Sequence, residues 1–293
     1  MKSFGVVGAG NMGGGMVRRL CDQGWSVHLN DIDAAVVAPL VALGAQSHPS
    51  ARDVAQACQV LAIVVVDQAQ VDAVLDGEQG LLGALTPDHT VLLCPTLSPE
   101  DVERTAARIH ATGAQLIDAP MSGGPTRAAQ GQMSLMVACP NACLAQHEAL
   151  LKTLANPVFH VSERVGDGAR TKLVNNLLAA INWVGASEVM NLALRAGLNP
   201  QTTLQVIASS SGQSWIGSDR MPRALQADWA PRAHLSLLTK DSRLAVEMAQ
   251  ALDQSTPLGA LAKQAFAQAS AAGWAGFDDA AMLAHLRGEL PPS

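Results

Sequence analysis

"FGVVGAGNMGGGM", residues 4–16, sets a short apolar run directly before Gly8, Gly10 and Gly13, and those glycines directly before an amphipathic stretch. That order of strand, glycine turn and helix gives an otherwise common G-x-G-x-x-G spacing its meaning. The first glycine permits a tight turn, the second lets a pyrophosphate approach the backbone, and the third lets helix and strand close together. The helix N-terminus then faces the phosphates. Asn11 and Met12, between the second and third glycines, join the candidate cofactor residues. The plainer alternative is a glycine-rich turn with no ligand. A second feature argues for the dinucleotide: Asp31 ends the next strand signal, 23 positions after Gly8, where an acid accepts hydrogen bonds from the adenosine ribose hydroxyls. A 2'-phosphate would meet Asp31 and Asp33 as like charges, and "NDID" supplies no arginine to receive it, so NAD is favoured over NADP. The plainer role for Asp31 is to cap the following helix.

Outward from this stretch, "SVHLND", "VLAIVVV", "TVLLC", "AQLIDA", "SLMVAC" and "PVFHV" alternate with amphipathic segments over the first 160 residues or so. This is the βαβ signature, and continuous apolar runs suit strands covered on both faces. The expectation is an α/β fold with a doubly wound, mostly parallel Rossmann-type sheet over residues 1–164, followed by an all-helical domain over 165–293. No proline- or serine-rich linker divides them, so a helix beginning near Ala169 is expected to leave the sheet domain and form the spine of the second. "VVVDQ" and "LLCPTLSP" each place a strand end before a turn, where a doubly wound sheet meets its ligand. Val66, Asp67 and Thr96 are therefore candidates for the cofactor. Plain turn chemistry competes, with Ser98 as an N-cap before Pro99.

Of the 293 residues, 48% are hydrophobic and 15% charged, with a formal net charge of -6, and no basic stripe is present to meet a phosphate backbone. Nucleic acid is not an expected partner. Five scattered cysteines argue against a disulfide framework and for a reducing compartment, the cytoplasm by default. Cys139, Cys143 and His147 are spaced by four, but structural zinc wants a fourth ligand and none is near, so no metal is expected. The N-terminal stretch lacks a secretory layout. The apolar stretch from Leu173 to Leu194 is interrupted by Asn175, Asn176, Asn182, Glu188 and Asn191, which reads as a buried helix of a soluble protein rather than a membrane span.

Two further segments carry chemistry. "DAPMSGGPTRAAQGQ", residues 118–132, offers Ser122, Gly123 and Gly124, whose hydroxyl and backbone amides can converge on a carboxylate; a glycine turn before a helix fits equally well. In "GDGARTKLVNNLL", residues 166–178, Lys172, Asn175 and Asn176 recur at i, i+3 and i+4 and so share one helix face. Leu173, Val174, Leu177 and Leu178 make the surroundings apolar, which would lower a lysine below its usual value of about 10.4 and suit it to proton transfer. A solvated face with a snorkelling lysine is the alternative.

In combination these segments resemble the β-hydroxyacid dehydrogenase family, which includes 3-hydroxyisobutyrate dehydrogenase, tartronate semialdehyde reductase and the related 6-phosphogluconate dehydrogenases. "GVVGAGNMGGGM" looks like the family's cofactor signature, "DAPMSGG" like its substrate loop, "GDGARTKLVNN" like its catalytic helix and "LLTKDSRLA" like a late segment whose lysine reaches the cofactor. The resemblance implies Lys172 as the catalytic lysine, Asn175 as the substrate-orienting amide with Asn176 beside it, Ser122, Gly123 and Gly124 as the carboxylate loop, and Thr96 and Lys240 as cofactor contacts. Asp241 is then expected to anchor a helix start and hold Lys240, or to be an ordinary acid of a helix's first turn. Within the family, "SGQSWIGSDRMP", "DWAP" and "SAAGWAGFDDAAM" look most like the L-threonate dehydrogenase branch. Arg127 stands where a glycine is usual; it either reads a second polar group of the substrate or lies on the surface.

The chain is too short for the longer helical domain of the phosphogluconate enzymes, and Lys172 is present where imine-reducing relatives generally replace it. The resemblance therefore implies NAD-dependent oxidation of a small hydroxy acid, a four-carbon sugar acid such as L-threonate favoured, with 3-hydroxyisobutyrate dehydrogenase or tartronate semialdehyde reductase as alternative activities and a non-catalytic NAD-sensing module as a remote alternative. The absence of tyrosine excludes a Tyr-x-x-x-Lys relay, and none of the eight histidines sits in a recognisable constellation. Apolar stripes such as "LLAAINWVGASEVMNLAL" exceed what one small domain needs to cover, so a homodimer or homotetramer is expected.

Overall fold

The computed structural model describes residues 2–292. They divide into two compact units, one ending at Lys172 and one beginning at Leu173.

In the first unit the strands are β1 (Ser3–Val7), β2 (Ser26–Asn30), β3 (Gln46–Ser47), β4 (Val60–Ile63), β5 (Thr90–Leu93), β6 (Gln115–Asp118), β7 (Met121–Ser122), β8 (Met133–Ala138) and β9 (Ala155–Ser162). Between them run α1 (Asn11–Asp22), α2 (Ala34–Val41), α3 (Ala51–Ala57), α4 (Gln68–Leu75), α5 (Pro99–His110), α6 (Gly124–Ala129) and α7 (Asn141–Leu154). The described residues form one sheet in the order β3-β2-β1-β4-β5-β6-β8-β7, with β9 on β8. Strands β3 to β6 of this order pair in parallel, whereas β8 runs antiparallel to β6 and β7. The chain order reverses at β1, between β2 and β4, and at such a switch point a doubly wound sheet opens a crevice for its ligand.

Alternation along each strand explains why both faces are covered. Phe4, Val6, Ala62 and Leu92 point into one core with Met16, Val17 and Leu20 of α1. Val7, Leu61, Ile63, Val91 and Leu93 point into the other, against Val54, Leu75, Val102 and Ile109. Each such Val, Leu, Ile, Phe or Met side chain contributes about 1.5–3 kcal/mol when fully buried. The helix starts follow local capping chemistry. Asp33 caps α2 and Asp67 caps α4, while Ser98 accepts the Asp101 N–H with Pro99 behind it, as its sequence implies. The two-residue strands β3 and β7 have no periodicity to betray them and carry no strand signal in the sequence.

The second unit is helical: α8 (Asp167–Arg195) continues into it from the first, and α9 (Pro200–Ala208), α10 (Trp215–Leu225), α11 (Leu235–Ala251), α12 (Pro257–Ala269) and α13 (Met282–Leu286) follow. Its core gathers Trp183, Phe266, Trp274 and Met282. The Trp183 indole donates to the Asp279 carbonyl at 2.7 Å, and Asn191 donates to the Leu286 carbonyl at 3.2 Å.

Helix α8 differs from expectation in one respect. By length and composition alone it is able to cross a membrane, and a third of its most apolar window is buried, not all of it. Val174, Leu178, Val189 and Leu192 are exposed. At about 100° per residue these four fall within one narrow stripe, opposite the side occupied by Leu173, Ala180 and Trp183. The amphipathic pattern is thus apolar on two sides: one covers the unit's own core, and the other has no cover among the described residues.

Candidate active site

The glycine turn after β1 has the geometry its sequence demands. Gly8 adopts φ +93, and a Cβ there would lie 2.4 Å from the Val64 carbonyl oxygen. A Cβ on Gly13 would lie 1.9 Å from the Gly8 oxygen, so helix α1 can fold back onto its own turn only with glycine at that position. Gly10 is the converse case: nothing lies within 4 Å of where its Cβ would be, so its backbone is approachable from outside. Asn11, exposed, and Met12, half-buried, begin α1 beside it.

Asp31 follows β2 and turns back to this loop. Its Oδ2 accepts the Ala9 N–H at 2.5 Å and its Oδ1 the Asp33 N–H at 2.9 Å. It does not cap α2; Asp33 does, through the Ala35 N–H. The acid therefore holds the glycine loop itself, with part of its carboxylate edge still accessible. An open glycine backbone flanked by an acid at the end of the second strand fits a dinucleotide with free ribose hydroxyls. Val66 is exposed and its N–H donates to Gln70 Oε1, whereas the Asp67 carboxylate accepts the Gln70 N–H as a helix cap. Thr96 is half-buried beyond β5.

The loop after β6 is brought against this one by α1 and α6. Gly15 of α1 has no room for a side chain because Ala128 Cβ would lie 2.7 Å away and the Pro125 oxygen 3.0 Å away. Gly10, Asn11, Arg18, Pro125 and Thr126 line a shared cavity of about 390 Å³. Gly123 and Gly124 both have positive φ, at +130 and +75, which turns their amides away from the regular strand direction taken by Ser122 on β7. Arg127 is braced rather than free: its Nε donates to the Gln132 carbonyl at 2.9 Å.

Lys172 lies in the second turn of α8 and is only 7% exposed. One turn on, Asn175 is exposed and Asn176 buried. The two amides belong to a chain of hydrogen bonds in the second unit. Asn175 Nδ2 donates to Asn176 Oδ1 at 3.0 Å, Asn176 Nδ2 to Asp241 Oδ2 at 2.6 Å, and Lys240 Nζ to Asp241 Oδ1 at 2.7 Å. The carboxylate can only accept, so Asn176 must offer it the NH2 group and turn its oxygen to Asn175. The Asn175 oxygen is thereby left outermost. Asp241 does hold Lys240, but it does not anchor a helix start, because α11 begins six residues earlier at Leu235.

Asp118 carries no role in the sequence reading, yet it is a buried carboxylate of the first unit. Its carboxylate, 1% exposed, accepts the Gly166 N–H at 2.9 Å and the Ala169 N–H at 3.2 Å, with the Gly168 amide beside them. Burial pushes it up to about 6, against the pull of those three amides. Elsewhere, Cys139 and Cys143 are buried neighbours, and His147 hydrogen bonds with Thr90 Oγ1 at 3.0 Å rather than facing them as a third ligand.

A glycine turn between the first strand and its helix, with an acid after the second strand, defines the class: a dinucleotide-binding α/β protein with a doubly wound sheet. Residues 3–162 match the family model described as the NAD binding domain of 6-phosphogluconate dehydrogenase, and residues 166–286 match that described as the NAD-binding region of NADP-dependent 3-hydroxyisobutyrate dehydrogenase. The L-threonate dehydrogenase of Cupriavidus necator is 33% identical over 99% of this chain and 98% of its own length. The 3-hydroxyisobutyrate dehydrogenase of Pseudomonas aeruginosa is 32% identical, covering 91% of each chain. A crystal structure of 3-hydroxyisobutyrate dehydrogenase from Salmonella typhimurium superposes with a TM-score of 0.91 at 33% identity, over 97% of this chain and 100% of that one. The chain belongs to the β-hydroxyacid dehydrogenase family, and it is a nicotinamide-dinucleotide-dependent oxidoreductase acting on a small hydroxy acid.

Proposed function

We propose that this enzyme oxidises a hydroxyl near the carboxylate of a four-carbon sugar acid such as L-threonate, with NAD rather than NADP and with Lys172 as general acid and base. The observation that carries the lysine's role is its burial on α8 one turn before the Asn175 amide. As a neutral amine, Lys172 Nζ takes the hydroxyl proton while the adjoining carbon loses its hydride and becomes a carbonyl. Bound NAD supplies the hydride acceptor. In the reverse direction the ammonium returns the proton to the carbonyl oxygen. Asn175 orients the substrate through its outward oxygen, and Ser122 with the Gly123 and Gly124 amides holds the carboxylate, so that the reacting carbon and the lysine are aligned before the proton moves. Gly8, Gly10, Asn11, Met12 and Gly13 bind the pyrophosphate side of the cofactor, with Asp31, Val66, Asp67 and Thr96 of the same unit around it; Lys240 is assigned to the cofactor by its match to the family's late lysine.

The substrate preference is supported by the L-threonate dehydrogenase relative, which matches over nearly the whole chain. The family model over residues 166–286 and the Pseudomonas aeruginosa relative support 3-hydroxyisobutyrate as the second reading. A panel of L-threonate, D-erythronate, 3-hydroxyisobutyrate and D-glycerate, read by NADH formation, separates them: L-threonate should give the highest kcat/KM, and a preference for 3-hydroxyisobutyrate overturns the first reading.

Preference for NAD rests on Asp31, whose carboxylate repels a 2'-phosphate and accepts ribose hydroxyls. Asp31→Ser should narrow the NAD over NADP ratio of kcat/KM by about tenfold, or 1.4 kcal/mol. An unchanged ratio removes Asp31 as the selector.

The helical segment 165–293 is assigned to substrate binding and oligomerisation. Support for an oligomer comes from the exposed stripe of Val174, Leu178, Val189 and Leu192 on α8, which a second copy would cover. Sedimentation at micromolar concentration should show a homodimer or homotetramer, and a monomer alone contradicts this. The five cysteines are all unpaired, four of them buried, which supports a cytoplasmic location.

A further inference from the structure

Asp118 ends β6, and four positions later the chain enters the Ser122–Gly124 loop. Its side chain reaches the amides of Gly166 and Ala169, and three positions after Ala169 comes Lys172. One carboxylate thus ties the strand that delivers the substrate loop to the first turn of the helix that delivers the lysine. The clearance is specific. A Cβ on Gly168 would lie 2.7 Å from the Met136 oxygen, 2.8 Å from Asp118 Cγ and 2.9 Å from Asp118 Oδ1, so the glycine exists to let α8 settle onto the carboxylate.

We propose that Asp118 is a positioning residue, whose ionised carboxylate anchors the N-terminus of α8 and so fixes Lys172 relative to the substrate loop. This rests on the reading of Lys172 as the proton-transfer group. A side chain serving only to satisfy these amides need not be charged, since a neutral amide oxygen also accepts them. The buried charge instead engages the positive end of a long helix. The titratable groups facing it are Asp167 in the first turn of α8, Cys94 after β5 and Cys139 after β8, with Glu163 beyond Cys139. Asp167 is itself held by Arg164, Arg170 and Ser162 Oγ. Because burial raises Asp118 to about 6, its stabilising contribution to the fold is present at acid pH and is lost as the pH rises through that value. The enzyme therefore keeps this carboxylate ionised at neutral pH in spite of stability, which is characteristic of a group retained for function.

The test is Asp118→Asn, which preserves shape and one acceptor oxygen. At pH 8, kcat should fall by about tenfold to a hundredfold, the scale on which misplacing a reacting group acts. NADH affinity should be unchanged and Tm no lower than that of the wild type. As the pH is lowered from 8 to 5, wild-type Asp118 becomes neutral like the amide, and the ratio of the two kcat values should close toward one. A wild-type kcat in the variant at pH 8, or a loss that is independent of pH and accompanied by a lower Tm, overturns the proposal. Should the variant not fold, wild-type enzyme labelled with carbon-13 at the lysine ε carbons supplies the answer, since the chain has only five lysines to resolve. The Lys172 signal should move with a midpoint near 6, and a signal without that inflection overturns the coupling. If Asp118→Asn is fully active while Lys172→Ala is dead, only this inference fails; if Lys172→Ala is active, the proton-transfer reading fails first.

Discussion

Lys172→Ala is expected to lower kcat by about a hundredfold to ten-thousandfold, the usual span for loss of a positioned acid-base group, while NADH binding is retained. The side chain is buried in the second turn of α8, so alanine removes the amine without placing anything else where it stood. Lys172→Arg should not rescue turnover, because a guanidinium stays protonated and cannot accept the hydroxyl proton. Turnover close to the wild-type value in the alanine variant would remove Lys172 as the acid-base group.

The largest stability effect is expected at the far end of the chain. Asp278 is fully buried, and its carboxylate accepts the N–H groups of Arg232 at 2.8 Å, Ala233 at 3.2 Å and Ala280 at 3.0 Å, together with Arg223 Nη1 at 2.9 Å. Burial pushes this carboxyl up, but the three amides and Arg223 outweigh it and hold it below the usual carboxylate range. Asp278→Ala strands three amides and a largely buried guanidinium at once, which should cost about 3–5 kcal/mol in urea unfolding. A loss under about 1 kcal/mol would mean that water or a rearranged loop satisfies these donors. Since the folded value is lowered, the contribution of Asp278 is present above the usual carboxylate range and is lost as the pH falls through the lowered value.

Sequence and structure agree where chemistry is local. The glycine turn, the strands β1, β2, β4, β5, β6, β8 and β9, and the Ser98 cap each follow from residues close together in the chain. The alternation of Phe4, Val6 and Val7 between two cores is likewise legible, because a strand's period of two is written in its own residues. What stayed hidden depends on long-range partners. Asp118 meets Gly166 from 48 positions away and Asn176 meets Asp241 from 65, and no spacing rule connects such pairs. Asn176 shows the same limit: it donates to Asp241 on α11 and accepts from its neighbour Asn175, and only the second partner is near it in the chain. The same limit explains the misread burial of α8, since periodicity finds apolar stripes on Val174 and Leu178 but does not say what covers them.

Coupling of hydride transfer from a hydroxy acid to proton transfer at Lys172 is read out by oxidising L-threonate, deuterated at its carbon-bound positions, with NAD and analysing the reduced cofactor. The wild type should place one deuterium on the nicotinamide ring for each NADH formed, and Lys172→Ala should give no such product on the same timescale. Unlabelled NADH, or equal labelled product from both proteins, would contradict it.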